Sequence, residues 1–558
     1  MAGSKAPAEM SDDACRVCRK DDDDAFLVLC DGCDKPFHTY CHAGCTCCHQ
    51  KPKGNFNRKP AVPDGDWFCK FCSGHLPPRD EDAPVVTSVF AWGDNEDGQL
   101  GLGETQDIAV SEPRRVHALD GIGVLQLAST ETSTLALCND GNVYSVGTGH
   151  AGQLGHQDIV HEKLLKFRLI EVLTAEKRSK SEGRISYLSA GRDFCLAVTT
   201  GGHAYTWGNG EFGQLGHQEN KNKKVPKKIS ALRELEISVE LGQCGGDFLL
   251  MTSGDPVDDS QFNTQQRGVF MSMGANTHGQ LGDGSGRNQW VPQQLNKDGS
   301  EITTAEHGDI DEPTECLLGR DVRLIAAGKG HCAAVTRGVK GLWTWGFGEL
   351  GQLGHPKPVL EAGQSRFFRA QFRVSRPRYI KSLAKELVAQ VACGGQHTII
   401  LLEGGVVMGM GDNEFGQVGV GKDGEDSKVI EEPRELAALN NAAKVRQIGC
   451  GDSHSVALSV DGDVFTWGRG QYGQLGLGGD KRTAVDRPTK VPGLPAIKTV
   501  YAGPNQVFAV EFTDVVFRGT AVAETEQTAS TQQKPAKKRA APSRKPAKST
   551  TTAKKSKK

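Results

Sequence analysis

One tetrapeptide recurs along the middle of the chain. Gly-Gln-Leu-Gly stands at 98–101, 152–155, 213–216, 279–282, 351–354 and 473–476, and Gly416-Gln417-Val418-Gly419 is a seventh, slightly altered copy. The intervals are 54, 61, 66, 72, 65 and 57 residues, a spacing that belongs to stacked repeats. A short apolar strand ending in glycine precedes the motif, as in Phe90-Ala91-Trp92-Gly93, Tyr205-Thr206-Trp207-Gly208, Trp343-Thr344-Trp345-Gly346 and Phe465-Thr466-Trp467-Gly468. Further upstream lies a second strand after a Gly-x-x-His turn, seen in Gly394-Gly395-Gln396-His397 and Gly451-Asp452-Ser453-His454. Tight turns such as Asn139-Asp140-Gly141 and Asp461-Gly462 join these strands, as hairpins prefer. Each unit is thus a small antiparallel sheet that cannot bury both faces alone, and radial stacking solves that problem.

The ends of the repeat region point to a closed ring. The first unit runs from Val89 to Gly101 without a preceding Gly-x-x-His strand. The last segment, Val500 to Val510, has that strand but no Gly-Gln-Leu-Gly after it. Together the halves make one blade, which a solenoid would not need. The expected fold class is all-β, a seven-bladed β-propeller over 86–518. Glycine fits this reading, at 69 of 558 residues against a usual ~7%. The apolar runs are strand-sized, as in Ile399-Ile400-Leu401-Leu402, far short of the ~18 residues that span a bilayer, so no membrane partner is expected.

The repeat resembles that of the regulator of chromosome condensation family, over about Val86 to Arg518. That resemblance implies two roles, nucleosome binding and guanine nucleotide exchange on the GTPase Ran. The exchange residues of the family lie in the Gly-x-x-His segments. Here Asp247 and His397 match them, Arg192 after Gly191 is a charge reversal, and Gln506 stands where the family has histidine. The protruding wedge of the third unit has no counterpart between Trp207 and Gly216. Exchange is therefore the alternative function and not the first. The plain reading of Asp247, His397 and His454 is that each caps a turn. The family's arginine loop for the nucleosome's acidic patch finds a counterpart in 365–378, with five arginines and three phenylalanines. Arg366, Arg369 and Arg373 are its candidate anion-binding residues, since guanidinium forks bind carboxylate or phosphate in bidentate fashion. No Gly-x-x-x-x-Gly-Lys-Ser/Thr, Gly-x-Ser-x-Gly or His-Glu-x-x-His motif is present, so no metabolic enzyme is expected.

Ten of the 17 cysteines lie between Cys15 and Cys72. The first ten residues hold no apolar core of the secretory kind, so this cluster is read as a metal site and not as a disulfide framework. Four pairs with two-residue gaps, Cys15/Cys18, Cys30/Cys33, His38/Cys41 and Cys69/Cys72, supply eight donors, enough for two tetrahedral zinc ions. Cys30-Asp31-Gly32-Cys33-Asp34-Lys35-Pro36-Phe37-His38-Thr39-Tyr40-Cys41 and Gly65-Asp66-Trp67-Phe68-Cys69 resemble a PHD finger. A RING finger shares the cross-brace, but Trp67 and the Cys-Asp-Gly-Cys pair favour PHD. The resemblance implies one zinc on Cys15, Cys18, His38 and Cys41, and another on Cys30, Cys33, Cys69 and Cys72. Cys45, Cys47, Cys48, His42 and His49 are surplus. The family reads the tail of histone H3. Readers of trimethyl-lysine use an aromatic cage, and here Pro36 occupies the usual cage position. Asp21, Asp22, Asp23 and Asp24 suit an ammonium or guanidinium that keeps its donors, so an unmodified tail is expected if these aspartates are more than a solvated loop.

The net charge is −2, yet Lys534 to Lys558 carries +11 with no acidic residue, leaving −13 on the other 533 residues. Lys537, Lys538, Arg539, Arg544, Lys545, Lys554 and Lys555 form clusters that resemble nuclear import signals and linker-histone tails. Such a segment neutralises DNA phosphates without reading sequence, and its composition predicts disorder. The expected plan is a disordered N-terminus at 1–13, the finger at 14–75, a linker at 76–85, the propeller at 86–518 and the tail at 519–558. It describes a nuclear, chromatin-associated binding protein. Native mass spectrometry of residues 1–80 is expected to show two zinc ions, and Cys30→Ser to lose at least one and unfold the module. A single ion in the wild type would contradict the cross-brace.

Overall fold

A computed structural model describes two short strands at 27–29 and 36–38 and most of 86–513. Left undescribed between 86 and 513 are 104–106, 159–162, 236, 254–268, 295–316, 318–321, 337–339, 357–371, 423–427 and 480–482. The chain divides into two units, Met1–Val515 and Val516–Lys558, and the propeller lies in the first. No helix among the described residues is long and apolar enough to cross a membrane.

Seven four-stranded antiparallel sheets make the ring. Blades 1 to 6 follow one another in sequence, over 124–169, 185–228, 239–294, 322–379, 388–435 and 445–490. Blade 7 joins the two ends of the repeat region. Its inner strands, Thr499–Ala502 and Gln506–Thr513, come from the last segment, and its outer strands, Val86–Asp94 and Ala109–Arg115, from the first. The seam is long, in register from Val86↔Thr513 to Gly93↔Gln506. The split unit read from the sequence is this blade.

The repeated tetrapeptide is an inter-blade fastener. Its glutamine side chain turns back and accepts from the backbone N–H two residues earlier, as Gln153 Oε1 does from Ala151 (3.0 Å) and Gln417 Oε1 from Phe415 (2.9 Å). The glutamine carbonyl faces the next blade and accepts from the indole N–H there. Trp207 donates to Gln153 (2.8 Å), Trp345 to Gln280 (2.9 Å), Trp467 to Gln417 (2.9 Å) and Trp92 to Gln474 (3.0 Å). A buried indole needs such a partner. The last glycine of the motif makes room for that ring. A Cβ at Gly282, whose φ is +75°, would lie 2.9 Å from Trp345 Nε1. The glycine after each tryptophan is as constrained, since a Cβ at Gly346 (φ +99°) would lie 2.5 Å from the Gly330 carbonyl.

Candidate functional site

The first strands of all seven blades line a central channel with a cavity of about 300 Å³. At one end the Gly-x-x-His turns and their equivalents converge on its mouth. Backbone bonds tie each turn to the next: Arg192 N–H to Gly246 O (3.0 Å), Gly246 to Gly328 (3.1 Å), Lys329 to Gly394 (3.2 Å), Gly395 to Asp452 (3.0 Å) and Asp452 to Pro504 (2.9 Å). Glu131 N–H reaches Arg192 O at 3.4 Å. At the seam the Gln506 side chain closes the circle, its Nε2 donating to Thr130 O at 3.0 Å. The departure from histidine at this position thus has a structural use.

The histidines of these turns are buried supports. His331 Nε2 meets Thr398 Oγ1 of the next blade at 2.9 Å, and His397 Nε2 meets Ser455 Oγ at 2.8 Å. His397 is therefore placed inside the wall and presents no ring atom to a partner, with 0% of its surface exposed. His454 faces a blade that offers Val507, and neither of its ring nitrogens has a partner. Blades 2 and 3 carry Phe194 and Phe248 at this register. Burial pushes the imidazoles of His331 and His454 down to about 4, and that of His397 to about 3.

The charged groups at the mouth are paired across blades. Arg192 Nη1 lies 3.0 Å from Asp247 Oδ2, so the residue that reverses the family's charge neutralises the aspartate that matches it. Lys329 Nζ, from blade 4, reaches Asp452 of blade 6 at 2.5 Å and Glu131 of blade 1 at 3.2 Å. Burial raises the carboxyl pKa values of Asp193, Asp247 and Asp452. Burial also pulls the Lys329 ammonium down, but Asp452 and Glu131 together outweigh that and hold it above its ordinary value. These pairs join turns more than 50 residues apart, and the sequence reading missed Lys329, Asp452 and Glu131 for that reason.

Arg373 opens the outer strand of blade 4, at the same end of the blade as the turn before His331 but three strands out from the channel, and its Nη1 donates to Thr277 O at 2.7 Å. Arg366, Arg369, the four aspartates at 21–24, the basic residues from 537 to 555 and seven of the eight zinc-ligand candidates lie outside the described residues. The eighth, His38, ends the short strand Pro36–His38 paired with Leu27–Leu29. In donor chemistry the set fits zinc: seven thiols and one imidazole in two-residue-gap pairs.

Comparison with known proteins agrees with this architecture. The model of the regulator of chromosome condensation (RCC1) repeat matches 88–137, 201–251, 269–335, 341–401, 404–458 and 461–510, and the PHD-finger model matches 15–72. The Ultraviolet-B receptor UVR8 of Arabidopsis thaliana is 29% identical over 72% of this chain and 76% of its own length. The guanine nucleotide exchange factor SRM1 of Saccharomyces cerevisiae is 26% identical over 70% of this chain and 79% of its own. Among solved structures, Prp20p from Saccharomyces cerevisiae, described with its binding to Gsp1p and histones, superposes with a TM-score of 0.63. It shares 22% identity and covers 79% of this chain and 93% of its own, which establishes the fold.

The buried histidines set an acid limit. Their folded pKa values lie below the unfolded ~6.5, so their contribution is complete above about pH 6.5 and falls as pH drops toward 4. The loss is about 1.4 kcal/mol per pH unit for each histidine. The raised carboxylates act in the opposite sense, so a single substitution isolates the effect. His454→Phe is expected to raise stability at pH 7 by about 1 kcal/mol, by removing an unsatisfied buried group. At pH 5 the gain should be larger. Denaturant melts at both pH values check this, and an equal gain at both would contradict it.

Proposed function

The chain belongs to the regulator of chromosome condensation repeat family and carries a PHD finger ahead of its propeller, and on that premise we propose that it is a nuclear, chromatin-associated binding protein. The observation that carries this reading is the union of the two modules in one chain. The finger, with two zinc ions on Cys15, Cys18, His38, Cys41 and on Cys30, Cys33, Cys69, Cys72, reads the H3 tail in its unmodified form. The propeller docks a protein or nucleosome surface, with Arg366, Arg369 and Arg373 as its anion-binding residues. The tail from Lys534 holds DNA and directs nuclear import.

Guanine nucleotide exchange on a Ran-like GTPase is the second reading. It is favoured by the similarity to the exchange factor SRM1 over most of both chains. Three features weigh against it. Asp247 is already paired with Arg192, Asp452 and Glu131 are bridged by Lys329, and His397 is buried.

Two measurements on the full chain separate these readings. Nucleosome affinity is expected to fall steeply with salt, and deletion of Lys534 to Lys558 to remove most of that slope; with about half of its 11 basic residues engaged, the slope is about −5. Release of mant-GDP from Ran is expected to stay at its intrinsic rate. Many-fold acceleration, lost in Asp247→Ala, would move the assignment to exchange. Absence of binding to nucleosomes and to H3 peptides would overturn the chromatin reading.

A further inference from the structure

The outer strands of the blades differ at one register position. Six carry proline there: Pro113, Pro226, Pro292, Pro377, Pro433 and Pro488. In every case the proline precedes the residue paired two positions before the strand-ending glycine of the neighbouring strand, as Arg114 pairs with Ala91 and Lys227 with Thr206. In blade 1 the paired residue is Arg168, opposite Ser145, and the residue before it is Phe167.

The alternation of a strand shows what this changes. Ile170 N–H donates inward to Val143 O at 2.8 Å, so Arg168 N–H also points into the sheet, and those of Phe167 and Leu169 point away from it. Blade 7 has the same parity, with Val116 N–H on Val89 O and Pro113 facing outward. Six outer edges therefore have no donor at this point, a recognised protection against pairing with another strand. Blade 1 has one. The cause lies in the packing. Val146 stands where four blades have tryptophan and two have methionine, and the Phe167 ring fills the space, lying 2.4 Å from where a Cβ on Gly101 would be. Filling the gap removes the proline and exposes an edge.

We propose that the outer edge of blade 1 is a strand-addition site for an extended, acidic segment of a partner protein. The loop of blade 7 covers its start, since Gly103 N–H donates to Leu165 O at 3.1 Å. The open stretch runs from Phe167 to Leu169, whose side chains are partly exposed and apolar. On the alternate face stand exposed Lys166 and half-exposed Arg168; the Arg168 guanidinium holds Asp158 at 2.9 Å, so Lys166 supplies most of the positive charge on this face. An added strand meets apolar contact on one side and positive charge on the other, so alternating apolar and acidic residues match both. A second copy of this edge would set Lys166 and Arg168 against their own kind, which disfavours self-pairing. Backbone bonds supply the affinity and the alternation supplies the selectivity.

The probe is a blocked, fluorescein-labelled peptide, Asp-Val-Glu-Val-Glu-Val-Asp, added to the full-length chain. Anisotropy is expected to report saturable binding, and hydrogen exchange to show peptide-dependent protection confined to 164–170. A lysine-for-acid version should bind at least tenfold more weakly. Alternate N-methylation, which removes the donors along one peptide edge, should abolish binding. Val146→Trp with Phe167→Pro restores the pattern of the other blades and should bind at least tenfold more weakly. If that variant fails to fold, the N-methylated peptide on the wild type decides the same question. Absence of protection at 164–170, equal binding of the lysine peptide, or undiminished binding by the N-methylated one would overturn the proposal.

Discussion

The ring stands on the seam in blade 7. Strand Gln506–Thr513 lies between Thr499–Ala502 of its own hairpin and Val86–Asp94 from the other end of the repeat region, so one sheet holds residues more than 400 positions apart. Six blades formed in sequence would leave a free face at each end. Only the pairing Val86↔Thr513 through Gly93↔Gln506 buries both, and it brings Trp92 onto the carbonyl of Gln474 and Gln506 onto that of Thr130. Closing so long a loop costs entropy that grows only slowly with its length, and an eight-residue ladder with a buried apolar face offsets it.

Around the ring the same contact repeats in variations that compensate one another. The glutamine carbonyl takes an indole N–H where the next blade has tryptophan. Where the next blade has Met410 there is no indole to donate, and Gln352 O accepts from Thr398 Oγ1 at 2.8 Å, a bond that Gln417 O also takes from Ser455 Oγ at 2.8 Å beside Trp467. At blade 1 the compensation comes from a different strand, through Phe167, and leaves the edge changed. At the mouth, histidine occurs where the next blade offers a hydroxyl, as at Thr398 and Ser455, and phenylalanine where it offers Leu249 or Cys332. His454 opposite Val507 breaks that rule, and its ring is unsatisfied.

Much of the fold was legible because the repeat is long and its turn residues are chemically constrained. Gly-Gln-Leu-Gly, the glycine after tryptophan and the split unit were enough to count seven blades and to close them. The reason for the motif was not legible, because four of the seven glutamines act on a tryptophan in the following unit. The site was less legible still. Arg192 read as a charge reversal that spoils a constellation, whereas its partner Asp247 lies 55 positions on, and the two neutralise each other. His397 matched a functional position, yet the hydroxyl of Ser455 holds it inside the wall. Lys329 carried no motif at all, since only closure of the ring brings blades 1, 4 and 6 to a common centre.

Native-state hydrogen exchange across the seam tests closure most directly. If the ring depends on blade 7, the amides of Val507 and Ala509, which face Val86–Asp94 across the seam, will exchange only through global unfolding, with the same free energy and denaturant dependence as the core amides of Leu249 and Ile400. Exchange of the seam amides through a local opening several kcal/mol below the global value, with blades 3 and 5 still protected, would contradict this. It would mean that six blades stand without the seventh.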